Sequence, residues 1–232
     1  MEPGALPART RLIPVPHPSP NFGARRGGAV PDHVVLHYTA MTTCDAALAR
    51  LCDAEAGVSA HYLVSETGRV WQMVDEAERA WHAGAGAWGE ITDVNSRSIG
   101  IELANTGAHP FPEPQMVALE VLLEGIFDRW DVTAGRVIGH SDMAIGRKVD
   151  PGPRFDWRRL ARRGLAVLPE TGRADPGDLA ADLHRIGYRW NSGQEDIALA
   201  AFRLRVRPWA TGEADDTDRA LAADMAARWP AG

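Results

Sequence analysis

The chain has 232 residues, 45% of them hydrophobic, enough to bury a full core, and its length favours one domain of ordinary size with a smaller companion. A formal net charge of -6 and a pI near 5.7 argue against a nucleic-acid binder, because no basic stripe is available to neutralise phosphates. No segment approaches the roughly 18 apolar residues of a membrane span, and "MEPGALPARTRLIPVPHPSPNFGARRGG" lacks the apolar run of a secretory signal, so a cytoplasmic protein is expected.

Residues 1–30 are rich in Pro, Gly and Arg without a period and read as an arm lying on the surface of the domain. "HVVLHY" (33–38) is a short bounded apolar run, a buried strand. A helix is expected from about Thr43 to Ala56, carrying Cys44 and Cys52 as packed thiols; on a helix their Cα atoms stand about 12 Å apart, too far for a disulfide. "AHYLV" and "RVWQMV", joined by "SETG", form a hairpin. "RSIGIEL" (97–103) alternates, with Ile99, Ile101 and Leu103 on one face and Ser98, Gly100 and Glu102 on the other. From Pro114, the residues Leu119, Leu122, Leu123, Ile126, Phe127 and Trp130 trace one helical stripe, and "RVIGH" (136–140) is a further strand ending on His140. Strands interleaved with helices predict an α/β domain with a mixed central β-sheet flanked by helices, over 31–167. "RFDWRRLARR" (154–163) reads as a solvated helix face.

Residues 168–175 have a linker's composition. Beyond them come three amphipathic patterns, at about 176–187 (Leu179, Leu183, Ile186), 194–206 (Ile197, Ala201, Leu204) and 215–229 (Leu221, Met225, Trp229). They predict a small C-terminal three-helix bundle over 176–232, whose thin core would lean on its neighbour.

Position selects among the many groups that could carry chemistry. His37 ends one predicted strand, His140 another, and Asp150 lies beyond it in a loop bounded by Gly and Pro. Two His and one Asp satisfy the ligand count of a catalytic zinc site with one open position, although a single His at a strand end is commonly a hydrogen-bonded structural residue. The separation of His140 from Asp150 requires the loop between them to return. The only lysine of the chain, Lys148, lies in that loop, where an ammonium could act as a compact point charge on a developing oxyanion.

The stretches "VVLHYTA", "SAHYLV", "RAWHAG", "SIGIELAN" and "GHSDMAIGRKVDPGPRFDW", in this order over about residues 31–160, resemble the zinc-dependent N-acetylmuramoyl-L-alanine amidases of the type-2 family. That group has AmpD-like and AmiD-like branches and is related to peptidoglycan recognition proteins. The tail, with "LHRIGYRW" and "ALAAFRLRVRP", resembles more loosely the peptidoglycan-binding-like helical domain of the AmiD-like branch. The resemblance implies one zinc ion on His37, His140 and Asp150, with Glu102 as general acid/base and Lys148 stabilising the oxyanion. It also implies a muropeptide substrate cleaved between muramic acid and L-alanine, in peptidoglycan turnover or cell wall recycling. A monomer or weak dimer is expected.

Rivals remain at several positions. His61 reads as a packed histidine, while His82 and Trp81, beside the loop "AGAGAWGE", read as substrate-lining. Asp142 is an alternative oxygen ligand or a partner orienting a histidine. His33, His109 and His184 have no evident partner. A non-catalytic muropeptide-binding protein on the same fold is the alternative to an enzyme. The tail either binds glycan or merely packs, and the AmiD-like likeness leaves the envelope as the alternative compartment.

Overall fold

The computed structural model describes residues 12–231. Its centre is a six-stranded mixed sheet in the order β1-β5-β4-β7-β3-β8. The strands are β1 (Val15–Pro16), β3 (His33–Tyr38), β4 (Tyr62–Val64), β5 (Val70–Gln72), β7 (Ser98–Leu103) and β8 (Val137–Gly139). β4, β7, β3 and β8 run parallel, and β5 turns back against β4 in the expected hairpin. A separate pair joins β2 (Phe22–Gly23) to β6 (Arg79–Ala80).

Two faces of the sheet are covered differently. Val34, Leu36, Ile99, Ile101 and Leu103 meet α3 (Glu113–Arg129), whose Leu119, Leu122, Leu123 and Ile126 form the predicted stripe. Each such buried side chain contributes about 1.5–3 kcal/mol of hydrophobic stabilisation. Pro114 stands in the first turn of α3, where its missing N–H costs no hydrogen bond. α5 (Trp157–Arg162) adds Trp157 and Leu160 to this layer. Its cations are not simply solvated: Arg159 bonds Glu113 and Glu120, and Arg163, just past its end, bonds Glu124, all on α3.

On the opposite face two apolar patches stand side by side. One packs α1 (Cys44–Cys52), through Ala47 and Leu51, over Leu63 and Trp71. The other packs Val35, Ile138 and Met143 with side chains of α6 (Leu179–Ile186), α7 (Glu195–Val206) and α8 (Asp216–Arg228). The C-terminal helices therefore share one continuous core with β3 and β8. Between the patches runs a polar seam made of Ser98, Gly100 and Glu102 from β7, flanked by His61 and His37. α2 (Val94–Arg97) leads directly into β7.

Two further expectations need correction. The helix read from Thr43 to Ala56 is α1 alone, capped by the Thr43 hydroxyl accepting from the Ala46 N–H, and it stops at Asp53. A separate 3-10 turn comes next over Ala54–Ala56, where the Asp53 carboxylate accepts the Glu55 N–H. The arm is more than a surface strand of coil: β1 lies parallel to β5, and Ser19 and Asn21 donate side-chain hydrogen bonds to Leu51, Asp53 and Val58 carbonyls. Residues 1–11 of that arm lie outside the described residues. Cys44 and Cys52 are free, as their spacing requires.

Candidate active site

The site stands at the C-terminal ends of β3, β7 and β8. His37 and Glu102 are direct register partners on adjacent parallel strands, so both side chains project from the same level of the same face. His140 is the first residue of α4 (His140–Met143), which begins as β8 ends. The loop after α4 does return: the Ser141 N–H donates to the Asp150 carbonyl at 2.8 Å, closing residues 141–150 into a ring that sets Asp150 beside His140. Gly139 permits this closure, because a Cβ there would lie 2.8 Å from the Pro151 ring.

Three ligand atoms converge. His37 Nδ1 and His140 Nδ1 are 2.9 Å apart, and Asp150 Oδ2 is 3.1 Å from the first and 3.0 Å from the second. All three residues are buried. Their outward contacts assign the tautomers. His140 Nε2 donates to the Ala83 carbonyl at 2.8 Å, which leaves its Nδ1 a bare lone pair. For His37 the assignment runs through two further residues. The Ser98 hydroxyl donates to the Val94 carbonyl at 2.6 Å, so its oxygen accepts from His82 Nε2 at 3.2 Å. His82 Nδ1 is thereby an acceptor for His37 Nε2–H at 3.0 Å, and the lone pair of His37 Nδ1 also faces inward.

Two imidazole lone pairs and a carboxylate oxygen crowded together have no proton to share, and such a trio could hold a metal ion. Burial and the neighbouring His140 pull His37 down to about 4, against Asp150, so its imidazole is neutral at pH 7. Asp150 Oδ2 is the one acidic oxygen among the three. The donor set thus carries one negative charge. A tetrahedral zinc with bonds of roughly 2.0–2.1 Å has ligand atoms about 3.3 Å apart, close to the observed triangle.

Glu102 differs from Asp150 in kind. Its Oε2 is buried without a hydrogen-bond partner, and burial pushes its carboxyl up to about 8, with Asp150 adding to the rise and Lys148 opposing it. A carboxyl poised near neutral pH beside such a cluster has the chemistry to accept and return a proton. Lys148 is exposed on the wall of a cavity of about 430 Å³ that is also lined by His37, Glu102, His140, Asp150, Arg50 and Tyr38. A larger cleft of about 970 Å³ lies at the other end of the strands, around Asp32, Arg97, Arg136 and Trp229, away from the converging ligand atoms.

The sequence family described as N-acetylmuramoyl-L-alanine amidase matches residues 27–153. The chain belongs to that family. Among curated relatives, the amidase is 37% identical to the N-acetylmuramoyl-L-alanine amidase AmiD of Escherichia coli K12, over 82% of this chain and 80% of the relative. It is 32% identical to the 1,6-anhydro-N-acetylmuramyl-L-alanine amidase AmpD of the same organism, over 62% of this chain and 87% of the relative. Among solved structures, E. coli AmiD in complex with anhydro-N-acetylmuramic acid-L-Ala-D-gamma-Glu-L-Lys superposes with a TM-score of 0.78 at 34% identity, covering 90% of this chain and 98% of that one. Pseudomonas aeruginosa AmpDh3 with anhydromuramic pentapeptide gives 0.77 at 28% identity, covering 93% and 96%.

The other residues singled out in the amidase sequence divide between packing and the cavity. His61 is packed: its Nδ1 accepts the Gly100 N–H at 2.9 Å and its Nε2 meets the Glu78 carbonyl at 3.1 Å. His82 borders the cavity, but both its ring nitrogens are engaged by His37 and Ser98, which makes it a support for His37 as well. Trp81 lies outside the cavity lining. Asp142 faces away from the three ligand atoms and caps Gly139. His33 bonds Asp32, and His184 stacks on Trp190 at 3.9 Å. Sequence reading misses Ser98, Arg147 and Arg205. Ser98 is visible on the polar face of "SIGIEL"; Arg147, which bonds the Ala83 and Ala85 carbonyls, and Arg205 carry no local signal.

Proposed function

We propose that this amidase is zinc-dependent, binds one ion at His37, His140 and Asp150, and hydrolyses the amide between the lactyl group of N-acetylmuramic or anhydro-N-acetylmuramic acid and L-alanine in muropeptides. The observation that carries the reading is the trio of ligand atoms within 3.1 Å of one another, beside the unpartnered Glu102 carboxyl. Zinc at these atoms would supply Lewis acidity, lowering the pKa of water to roughly 7 and polarising the scissile carbonyl. Glu102 removes the proton of the attacking water as the new C–O bond forms. It then delivers that proton to the alanine nitrogen as the C–N bond breaks, releasing a lactyl carboxylate and a free peptide amine. Lys148 reaches over the cavity to the developing oxyanion. His82 and Ser98 keep the His37 lone pair directed inward.

The bound muropeptides named for the AmiD and AmpDh3 structures support this substrate class, and recycling of soluble fragments in the cytoplasm is the setting we infer. No helix among the described residues is long and apolar enough to cross a membrane. The catalytic unit is taken as 31–167, joined through 168–175 to the peptidoglycan-binding-like helices of 176–232.

The test is metal content and turnover on a defined muropeptide. His37→Ala loses zinc. Glu102→Ala and Lys148→Ala keep zinc and lose most turnover, by about 10²- to 10³-fold for Lys148→Ala. Lys148→Arg, which retains charge with a different geometry, also falls well below the parent. Full turnover by Glu102→Ala would overturn the mechanism. Initial rates on soluble anhydro-muropeptide against intact sacculi distinguish recycling from action on the envelope.

A further inference from the structure

Asp142 lies two residues after His140 and is completely buried, and its carboxylate oxygens bond Gly139, Tyr188 and Arg205 rather than the three ligand residues. Its Oδ2 accepts the Gly139 N–H at 2.8 Å, tying the first turn of α4 to the end of β8. The remaining valences are met from the C-terminal helices. Arg205 on α7 donates Nη1–H to Asp142 Oδ2 at 3.0 Å, and the Tyr188 hydroxyl, just after α6, donates to Asp142 Oδ1 at 2.7 Å.

The same guanidinium reaches two more elements. Arg205 donates to the Val137 carbonyl on β8 at 3.2 Å and to the Val167 carbonyl at 3.0 Å, and it lies 4.1 Å over the Trp157 ring of α5. Its side chain is 2% exposed and that of Asp142 1%. Tyr188 is 0% exposed and packs against Trp88 and Phe202. A buried carboxylate with both oxygens filled by protein donors, one of them charged, has a single arrangement that satisfies it.

We propose that Arg205 and Tyr188 are positioning residues for the metal site: through Asp142 they fix the Gly139–His140 turn, so the C-terminal helices set the affinity of the cluster for zinc. The proposal rests on the reading of His140 as a metal ligand. The coupling path is short: Arg205 and Tyr188 hold the Asp142 carboxylate, which holds the Gly139 amide, whose neighbour carries the imidazole. Cutting it lets α4 rotate or fray, and the His140 Nδ1 lone pair drifts from the other two ligand atoms.

The experiment measures Zn²⁺ dissociation constants of the full chain by chelator competition, together with the visible spectrum of the Co²⁺-substituted protein. Tyr188→Phe removes one hydroxyl and keeps the ring, and Arg205→Met removes the charge and keeps an apolar stem over Trp157. Met225→Ala, a core change in α8 outside the hydrogen bonds of Asp142, controls for loss of stability alone. Both test variants are expected to weaken zinc binding by about tenfold or more, the usual effect of removing a group that orients a ligand, and to alter the cobalt spectrum. Met225→Ala is expected to stay within about twofold of the parent. Should Arg205→Met not fold, Tyr188→Phe decides alone. Zinc affinity in Tyr188→Phe within twofold of the parent, or an equal loss in Met225→Ala, overturns the proposal. A parent chain that binds no zinc overturns the metal assignment itself, and the positioning role with it.

Discussion

At the scale of single residues, the site separates two carboxyls by environment. Asp150 stands against two imidazoles and stays ionised, whereas Glu102 sits in the seam with one oxygen unpartnered and is pushed up to about 8. In the metal-free protein this difference makes stability depend on pH. Folded Glu102 holds a proton that the unfolded chain releases above about pH 4.5, so its contribution to stability falls as pH rises from about 4.5 to 8. His37 works in the opposite sense over a lower window. Drawn from 6.5 to about 4, it leaves the unfolded state binding more protons there, so stability rises with pH until about 6.5. Above 6.5 the Glu102 effect stands clear of His37. Urea unfolding of the chelator-treated protein at pH 6.5 and 8 should therefore show a decline that Glu102→Gln flattens. Parallel declines in parent and variant would contradict the assignment.

At the scale of elements, legibility depends on where the partners come from. β7 is readable in full because its alternation is local: the apolar side meets α3, and the polar side supplies Ser98, Gly100 and Glu102 to the seam. The candidate ligand positions are readable for a related reason, since His37 and His140 stand at or just beyond strand ends. For α7 the sequence pattern is right only in part: Ala201 of the expected stripe is buried, but the inward face is rotated away from Ile197. Ile197, part of the expected apolar stripe, is 41% exposed, while Ala198, Ala201, Phe202 and Arg205 face the core. Hydrophobic periodicity scores an arginine as solvent-facing, and the carboxylates that neutralise Arg205 and Arg203 sit on α4 and α8. Gly100 offers a test on β7. A Cβ there would meet the His82 ring at 2.3 Å, so Gly100→Ala must displace the ring that supports His37. We expect a stability loss of about 1–3 kcal/mol accompanied by weaker zinc binding, checked by thermal unfolding and metal titration. Lower stability with unchanged zinc affinity would show that His82 is a packing residue alone.

At the scale of the whole molecule, the C-terminal helices and the sheet meet in one buried cluster, as the thin core of so small a bundle requires, although the linker-like composition around Pro169 points the other way. The linker-like "PETGRADPGD" is visible in sequence; the burial of Leu165, Ala166 and Val167 immediately before it is not, because the first two pack into the α3 layer and Val167 under the returning helices. The other end of the chain has a consequence for assembly. β1 forms the outermost row of the sheet on the β5 side, with His17 and Ser19 continuing the pairing to Gln72 and Met73. Prolines occupy 14, 16, 18 and 20, and a proline nitrogen has no hydrogen to offer a further strand. Removing residues 1–20 would bare the β5 edge, and sedimentation should then report concentration-dependent self-association; a truncated chain that stays monodisperse would refute this. The prolines act as a selvedge: they finish the sheet on that side, so a second copy of the chain finds no thread there to continue.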